Sequence, residues 1–169
     1  IEKRGMLTPD ERRAIGGWVF GCDICQEVCP FNHRALGRRE HRSVPEEFGP
    51  GRGAGPFLDL ADLLAIRSER EFRGRFAGTP LLRPRRSGLL RNAALVAANT
   101  GAEQVLPALE RSAREDRSPI VRAHAVWAAA QLLGCEGTRF REIVARALSD
   151  PSEEVRHEAL RFEQPEAFV

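Results

Sequence analysis

Three cysteines, Cys22, Cys25 and Cys29, lie within eight residues near the start of the 169-residue chain. Short loops between cysteines allow thiolates to converge, and thiolates are ligands for zinc and for iron–sulfur clusters. The step from Cys29 to Pro30 helps to separate these options, because in ferredoxins with two clusters the cysteine before proline binds the other cluster. We therefore expect Cys22 and Cys25 to bind one [4Fe–4S] cluster and Cys29 a second, with the remaining ligands outside these residues.

Zinc is the main alternative for this motif. Cys22, Cys25 and Cys29 could form a zinc site with His33, since the Cys29-x3-His33 spacing is acceptable. A cluster of unligated structural cysteines is less favoured, because free thiols at this density invite oxidation. Cys135 lies alone, so we expect it to be a small core or turn residue. The sequence has no Ser-His-Asp, metal-hydrolase or phosphate-loop pattern.

The cysteine motif belongs to a head at residues 1–34. Thr8, Pro9 and Glu11 form a helix start, with Thr8 as the cap and Glu11 three residues later. Residues 35–56 are rich in Pro and Gly and keep no helical or strand period, so we predict a linker there. Residues 57–169 have a helical pattern throughout.

A short sequence block recurs in the helical part. It begins at Arg91, Arg122 and Arg156, at offsets of 31 and 34 residues, and helical segments separate the copies. A helical repeat of this length is typical of an α-solenoid. The sequence therefore predicts a mostly α fold, in which a ferredoxin-like [4Fe–4S] segment precedes a HEAT-like α-solenoid at residues 57–169. We expect Arg122 and Arg156 to cap helix ends or form ion pairs inside the repeats.

Positive charge is concentrated in one stretch of the chain. The formal net charge is +2, but residues 67–91 contain eight Arg against Glu69 and Glu71, a local balance of +6. Such a stretch favours a surface that faces a polyanion. The alternative is a solvated face whose Arg residues pair with nearby acids.

Composition excludes some classes of protein. With 42% apolar and 30% charged residues and no run of 18 apolar residues, the sequence predicts no membrane span. The chain opens with Ile1 and has no signal pattern, so we expect it to begin inside a longer protein. We also expect a cytoplasmic monomer.

Several segments resemble one enzyme family in the same order. Residues 17–32, which contain the three cysteines, resemble the second cluster motif of the epoxyqueuosine reductase family. Residues 1–5, 76–81 and 88–93 resemble further segments of that family, and both chains close with a HEAT-like tail. The family's cobalamin-binding N-terminal domain, its catalytic acid and its first cluster motif are not found in these 169 residues. The resemblance therefore identifies the C-terminal part of such an enzyme.

The resemblance implies an oxidoreductase that reduces epoxyqueuosine to queuosine in tRNA, with cobalamin and two [4Fe–4S] clusters. It places Cys22 and Asp23 beside the cobalamin, although Asp23 could instead only cap a turn. The catalytic residue is expected in the missing domain, so this chain alone should be inactive. An electron donor protein is implied. The positions expected to contact the anticodon stem-loop of tRNA are Lys3, Thr79, Arg83, Arg85, Arg86, Arg91 and Asn92.

Two other functions remain open from the sequence. One is a non-catalytic HEAT-repeat scaffold with a zinc knuckle, and the other is a different ferredoxin-type electron-transfer protein. Iron and sulfide content would separate the scaffold from the other two, and tRNA binding would separate the reductase from a generic ferredoxin.

Overall fold

The computed structural model describes residues 1–37, 54, 55 and 57–163. The predicted mostly α class is confirmed, since these residues form helices and no strand. Most of the predicted linker, residues 38–53 and 56, lies outside the described residues, as do residues 164–169. The helices are α1 (Pro9–Ala14), α2 (Ile24–Glu27), α3 (Pro30–Gly37), α4 (Leu60–Leu64), α5 (Glu69–Arg75), α6 (Arg85–Asn99), α7 (Leu106–Glu115), α8 (Pro119–Leu133), α9 (Thr138–Leu148) and α10 (Glu153–Glu163), with 3₁₀ turns at Pro80–Leu82 and Glu103–Val105.

Polar side chains cap the starts of several helices. The amide of Glu11 donates to the Thr8 hydroxyl at 3.3 Å, and the amide of Thr8 donates to the Glu11 carboxylate at 2.9 Å. This reciprocal pair satisfies two amides that the first turn of α1 would leave unpaired. It confirms the helix start that was predicted at Thr8. Asp59 and Ser68 cap α4 and α5 with single hydrogen bonds, which their side chains accept from the amides of Asp62 and Glu71.

Helix α8 lies at the centre of the helical part. It packs against α6, α7, α9 and α10. Residues 121–130 of α8 are all buried, whereas α7 and α9 bury only one face. Alanine supplies five of those ten α8 residues, and its small side chain allows neighbouring helices to approach closely. No helix in the described part of the chain is long and apolar enough to cross a membrane.

Largely buried Arg–Asp pairs connect successive helices of residues 85–163. The Arg122 guanidinium donates to both carboxylate oxygens of Asp150, at 2.8 and 2.7 Å. The amide of Ser152 donates to the same carboxylate at 2.8 Å, at the start of α10. Arg156 donates to the Asp150 carbonyl at 2.7 Å. The prediction that Arg122 and Arg156 cap helix ends or form ion pairs within the helical part is therefore confirmed.

Arg91 does not share this role, although it begins the same sequence block. Arg86, one helical turn and a half earlier, takes the equivalent place. Its guanidinium pairs with Asp116, and Arg122 donates to the Asp116 carbonyl at 2.7 Å. These recurring contacts of Arg86, Arg122 and Arg156 with Asp116 and Asp150 form an Arg–Asp ladder, whose first member is Arg86 and not the Arg91 that begins the recurring block.

Replacing Arg122 by alanine is expected to lower the free energy of unfolding by about 2 kcal/mol, because it leaves Asp150 without its charged donor. Urea denaturation of the variant and of the wild type measures this difference. The matched control is Arg141→Ala, an exposed residue of α9, which should change stability by less than about 0.5 kcal/mol. Equal losses in both variants would contradict a structural role for the ladder.

Candidate iron–sulfur site and nucleic-acid interface

The cysteine motif lies on two short helices. Cys22 follows Gly21, which adopts a left-handed φ of 68°, and Cys25 lies inside α2. Cys29 lies between α2 and α3, and Pro30 is the first residue of α3. All three thiols are free; those of Cys22 and Cys25 are exposed and that of Cys29 is half-buried. The loop therefore presents its thiols without any disulfide among them.

These thiols do not form one complete site within the described residues. No three His, Cys, Asp or Glu side chains in residues 1–37, 54, 55 and 57–163 are placed to hold a metal ion. A zinc knuckle made by Cys22, Cys25, Cys29 and His33 is therefore not assembled here. Thiolates divided between two centres, each completed by other ligands, fit this placement and the chemistry of iron–sulfur clusters.

Asp23 does not cap α2 with its side chain. It occupies the position before the first helical residue, but its carboxylate accepts no hydrogen bond from the first turn. Its backbone carbonyl accepts from the amides of Gln26 and Glu27, at 2.8 Å each. The interpretation of Asp23 as a turn-capping carboxylate is therefore wrong, and the exposed carboxylate remains available to another group.

Several apolar side chains in the head and at Phe57 are exposed. Val28 is 69% exposed and Phe31 is 75% exposed, and Trp18, Ile24 and Phe57 also face solvent. Of these residues, Trp18 and Phe57 line a cavity of about 730 Å³ together with residues that include Phe20, Leu58 and Thr79. Exposed apolar surface concentrated in one region marks an interaction site. This surface therefore fits contact with another domain or molecule rather than with water.

Three residues expected at the tRNA surface are buried. Arg86 pairs with Asp116 and donates to the Ile66 carbonyl. Arg91 and Asn92 are 1% and 0% exposed and donate to carbonyls of the head. The structure does not support direct tRNA contacts for Arg86, Arg91 and Asn92, because their donors are used inside the protein.

The other expected contact residues remain accessible. Lys3 is exposed and pairs with Glu11, while the half-buried Thr79 donates to the Phe76 carbonyl at 2.8 Å. Arg83 pairs with Glu2 at 2.9 Å and lies over the Phe20 ring, 5.2 Å from its centroid. Arg85 is exposed and adopts a φ of 61°, which is uncommon for a residue with a side chain.

A basic groove collects arginines from distant parts of the chain. Arg83 and Arg85 line it together with Arg4 and Arg73, and Glu69 is its one acidic lining residue. An adjoining groove shares Glu69, Arg73 and Arg85 and adds Arg67, Arg86 and Arg117. Sequence reasoning missed Arg4 and Arg117, which lie outside residues 67–91. No local signal marks them, since only the fold brings them to Arg85.

Comparisons with known proteins agree with this geometry. A family model described as a 4Fe-4S double cluster binding domain matches residues 1–32. The epoxyqueuosine reductase of Xanthomonas campestris is 41% identical over 134 residues, which cover 78% of this chain and 35% of that protein. The chain is similar to members of the epoxyqueuosine reductase family along most of its length. Among solved structures of the family, the Bacillus subtilis enzyme superposes with a TM-score of 0.76 at 30% identity, over 95% of this chain and 41% of that one.

A second structure of the family contains nucleic acid. It is an epoxyqueuosine reductase with an epoxyqueuosine-modified tRNA-Tyr stem loop, and it matches 95% of this chain and 40% of its own at a TM-score of 0.74 and 30% identity. The chain spans about a third of the curated relatives it matches. The similarity therefore concerns residues that form only part of such a relative, and the double-cluster domain match concerns residues 1–32 of them.

Proposed function

We propose that this chain is the C-terminal part of an epoxyqueuosine reductase, an enzyme that reduces epoxyqueuosine to queuosine in tRNA. The observation that carries the proposal is the motif of three free cysteines, which do not converge on one site and lie inside the double-cluster domain match. In the intact protein Cys22 and Cys25 would hold one [4Fe–4S] cluster and Cys29 would belong to the other. Catalytic residues and the remaining ligands lie outside this chain, so the chain alone would not reduce epoxyqueuosine.

The fold proposal has two parts. Residues 1–34 act as an incomplete ferredoxin-like segment, and residues 57–169 act as a HEAT-like solenoid connected by a linker at 35–56. The Arg–Asp ladder supports the repeat interpretation, because the same contacts recur at Asp116 and Asp150. A protein of this kind would work as a cytoplasmic monomer that receives electrons from a donor protein.

The residues around the cysteine loop would control the environment of the clusters. Val28, Phe31 and Trp18 supply apolar surface that would exclude water once the rest of the enzyme covers it. Burial and hydrogen bonds to sulfur are the means by which a protein adjusts a cluster potential. Cobalamin, with Cys22 and Asp23 beside it, would supply the chemistry that removes the epoxide oxygen.

Cysteine variants of the intact protein test the cluster assignment. Protein purified without oxygen should contain iron and acid-labile sulfide for two clusters, and Cys25→Ser should lose one of them. Cys29→Ser should disturb the other cluster, because a cysteine before proline binds across to the partner site. Cys135→Ser is the matched control, since this exposed thiol lies after α8, away from the motif, and should leave the iron content unchanged. Protein that contains zinc and no iron would contradict the proposal.

The basic groove would hold tRNA by its phosphates. Arg4 and Arg85 have no ion pair in the described part of the chain, and the exposed pairs of Arg73 and Arg83 with acids are weak enough to exchange for phosphate. Lys3 and Thr79 belong to the same proposed surface. The modified base itself would have to leave its stack to reach the active site.

Loss of three groove arginines is expected to reduce the salt dependence of tRNA binding. Each phosphate contact contributes about 0.7–0.9 to the slope of log affinity against log salt, so the intact Arg4→Ala/Arg83→Ala/Arg85→Ala variant should show a slope lower by about 2–3. Binding of a tRNA stem loop at several salt concentrations measures the slope. Arg86 is left intact, because its loss would expose the buried charge of Asp116.

The matched control removes the same charge from another helix. Arg139, Arg141 and Arg146 are exposed on α9, which lines neither of the two basic grooves. Their replacement by alanine should leave the slope unchanged. Equal slopes in the two triple variants would assign the groove to a solvated face and would leave tRNA recognition to other residues.

A further inference from the structure

Asn92 of α6 connects two separate stretches of the head. Its side-chain amide donates to the carbonyls of Ile1 and Val19, at 2.9 Å each. Its carbonyl oxygen accepts from Arg91 Nε at 3.1 Å and from Arg91 Nη2 at 2.9 Å. Both amide hydrogens and the acceptor oxygen of this fully buried side chain are therefore used.

Arg91 extends the same contact along the first residues of the chain. Its Nη1 donates to the carbonyls of Lys3 and Gly5 at 2.7 and 2.9 Å, and its Nη2 donates to Ile1 at 3.1 Å. No carboxylate forms an ion pair with Arg91 among the residues that the structure describes, and burial lowers its pKa. Burying a guanidinium without a counter-charge is costly. The Arg91 guanidinium instead contacts main-chain carbonyls of the head.

Two turns further along α6, Asn99 holds the next part of the head. Its amide donates to the carbonyls of Arg12 at 2.9 Å and Gly16 at 3.1 Å. Residues 92 and 99 are seven apart, so they lie on one face of the helix. That face therefore binds the main chain of the head at points from Ile1 to Val19.

The cysteine loop has few contacts of its own. Cys22, Asp23, Ile24 and Cys25 are all exposed, and α2, a helix of four residues, packs mainly on α3. Val19, which Asn92 holds, lies three residues before Cys22. The position of the first cysteine thus depends on the backbone that α6 fixes.

We propose that Arg91 and Asn92 are positioning residues for the iron–sulfur ligands: they fix the main chain at Ile1–Gly5 and at Val19, so that the helical repeats determine where Cys22 lies. The inference rests on the proposed cluster function. It assigns to α6 a role in cluster retention that is separate from tRNA binding.

The contacts of Arg91 and Asn92 with the head are called the head clamp. Hydrogen exchange and iron release in the intact, anaerobically purified protein test it. In Asn92→Ala and Arg91→Lys, amides of residues 1–7 and 18–25 should exchange about tenfold faster, because a buried carbonyl loses its donor. Iron should pass to a ferrous chelator faster by a similar factor, and the electron paramagnetic resonance spectrum of the cluster held by Cys22 should change. Leu7 is a useful reporter, since its amide donates to His124 at 3.3 Å.

Arg122→Ala is the control for a general loss of stability. It breaks a buried contact of the repeats and leaves the head clamp intact. Clamp variants that match Arg122→Ala in local exchange, iron release and spectrum would overturn the proposal. Asn99→Ala provides a milder test if Asn92→Ala does not fold, with the faster exchange expected near Arg12 and Gly16. Protein without iron would refute the cluster function. The hydrogen-exchange measurement would still decide whether the clamp exists.

Discussion

Replacing Glu158 by alanine is expected to lower the free energy of unfolding by about 3–5 kcal/mol, because it leaves the buried Arg12 guanidinium without a counter-charge. Arg12 of α1 and Glu158 of α10 form a bidentate ion pair, at 2.5 and 2.7 Å, and each side chain is 1% exposed. Arg12 also donates to the Leu7 carbonyl at 2.9 Å and lies 5.4 Å from the centroid of Trp127. The pair joins the head to the last described helix.

Urea denaturation of Glu158→Ala and of Glu153→Ala measures this effect. Glu153 is exposed on the same helix, so its replacement should change stability by less than about 0.5 kcal/mol. The double variant Arg12→Leu/Glu158→Leu should recover much of the loss, because it removes both buried charges together. A Glu158→Ala protein as stable as Glu153→Ala would show that the ion pair does not hold the head.

Stability is expected to fall below pH 6.5 through His124. Burial and the positive charges of Arg12 and Arg91 lower the pKa of His124 to about 3, against the ordinary value of 6.5. Its ring accepts from the Leu7 amide and donates to the Ile120 carbonyl at 2.7 Å, so the folded protein holds the neutral ring. Between these two pKa values the unfolded chain binds a proton that the folded chain does not.

The contribution of His124 is therefore complete above pH 6.5 and is lost as the pH falls toward 3. At 1.36 kcal/mol per pH unit, the stability lost between pH 6.5 and pH 4 should amount to about 3 kcal/mol. Denaturation of the wild type and of His124→Gln at pH 7 and pH 4 measures it, since glutamine keeps an acceptor for Leu7 and does not titrate. Parallel losses in both proteins would assign the acid sensitivity to carboxylates instead.

Local features of the chain could be predicted from the sequence. The spacing of Cys22, Cys25 and Cys29 before Pro30 indicated iron–sulfur chemistry, because thiolates that share a cluster come from short loops. The helix start at Thr8 and the mostly α class followed in the same way from residues within one or two turns of each other. Recurrence of Arg122 and Arg156 indicated a shared role, and each of them donates to the carbonyl of the aspartate six residues earlier.

Only the tertiary structure decided what the arginines of α6 do. Arg86 and Arg91 belong to the same basic stretch as Arg85, yet the first two are buried and only Arg85 faces the groove. The partners of Arg86 lie 20 and 30 residues away, and the carbonyls that Arg91 contacts lie 86–90 residues away. A charge count cannot distinguish a guanidinium that faces solvent from one that holds carbonyls in the core, because that depends on which distant backbone the fold brings against it. Glu158 likewise became the counter-charge of Arg12 only through a contact that spans 146 residues.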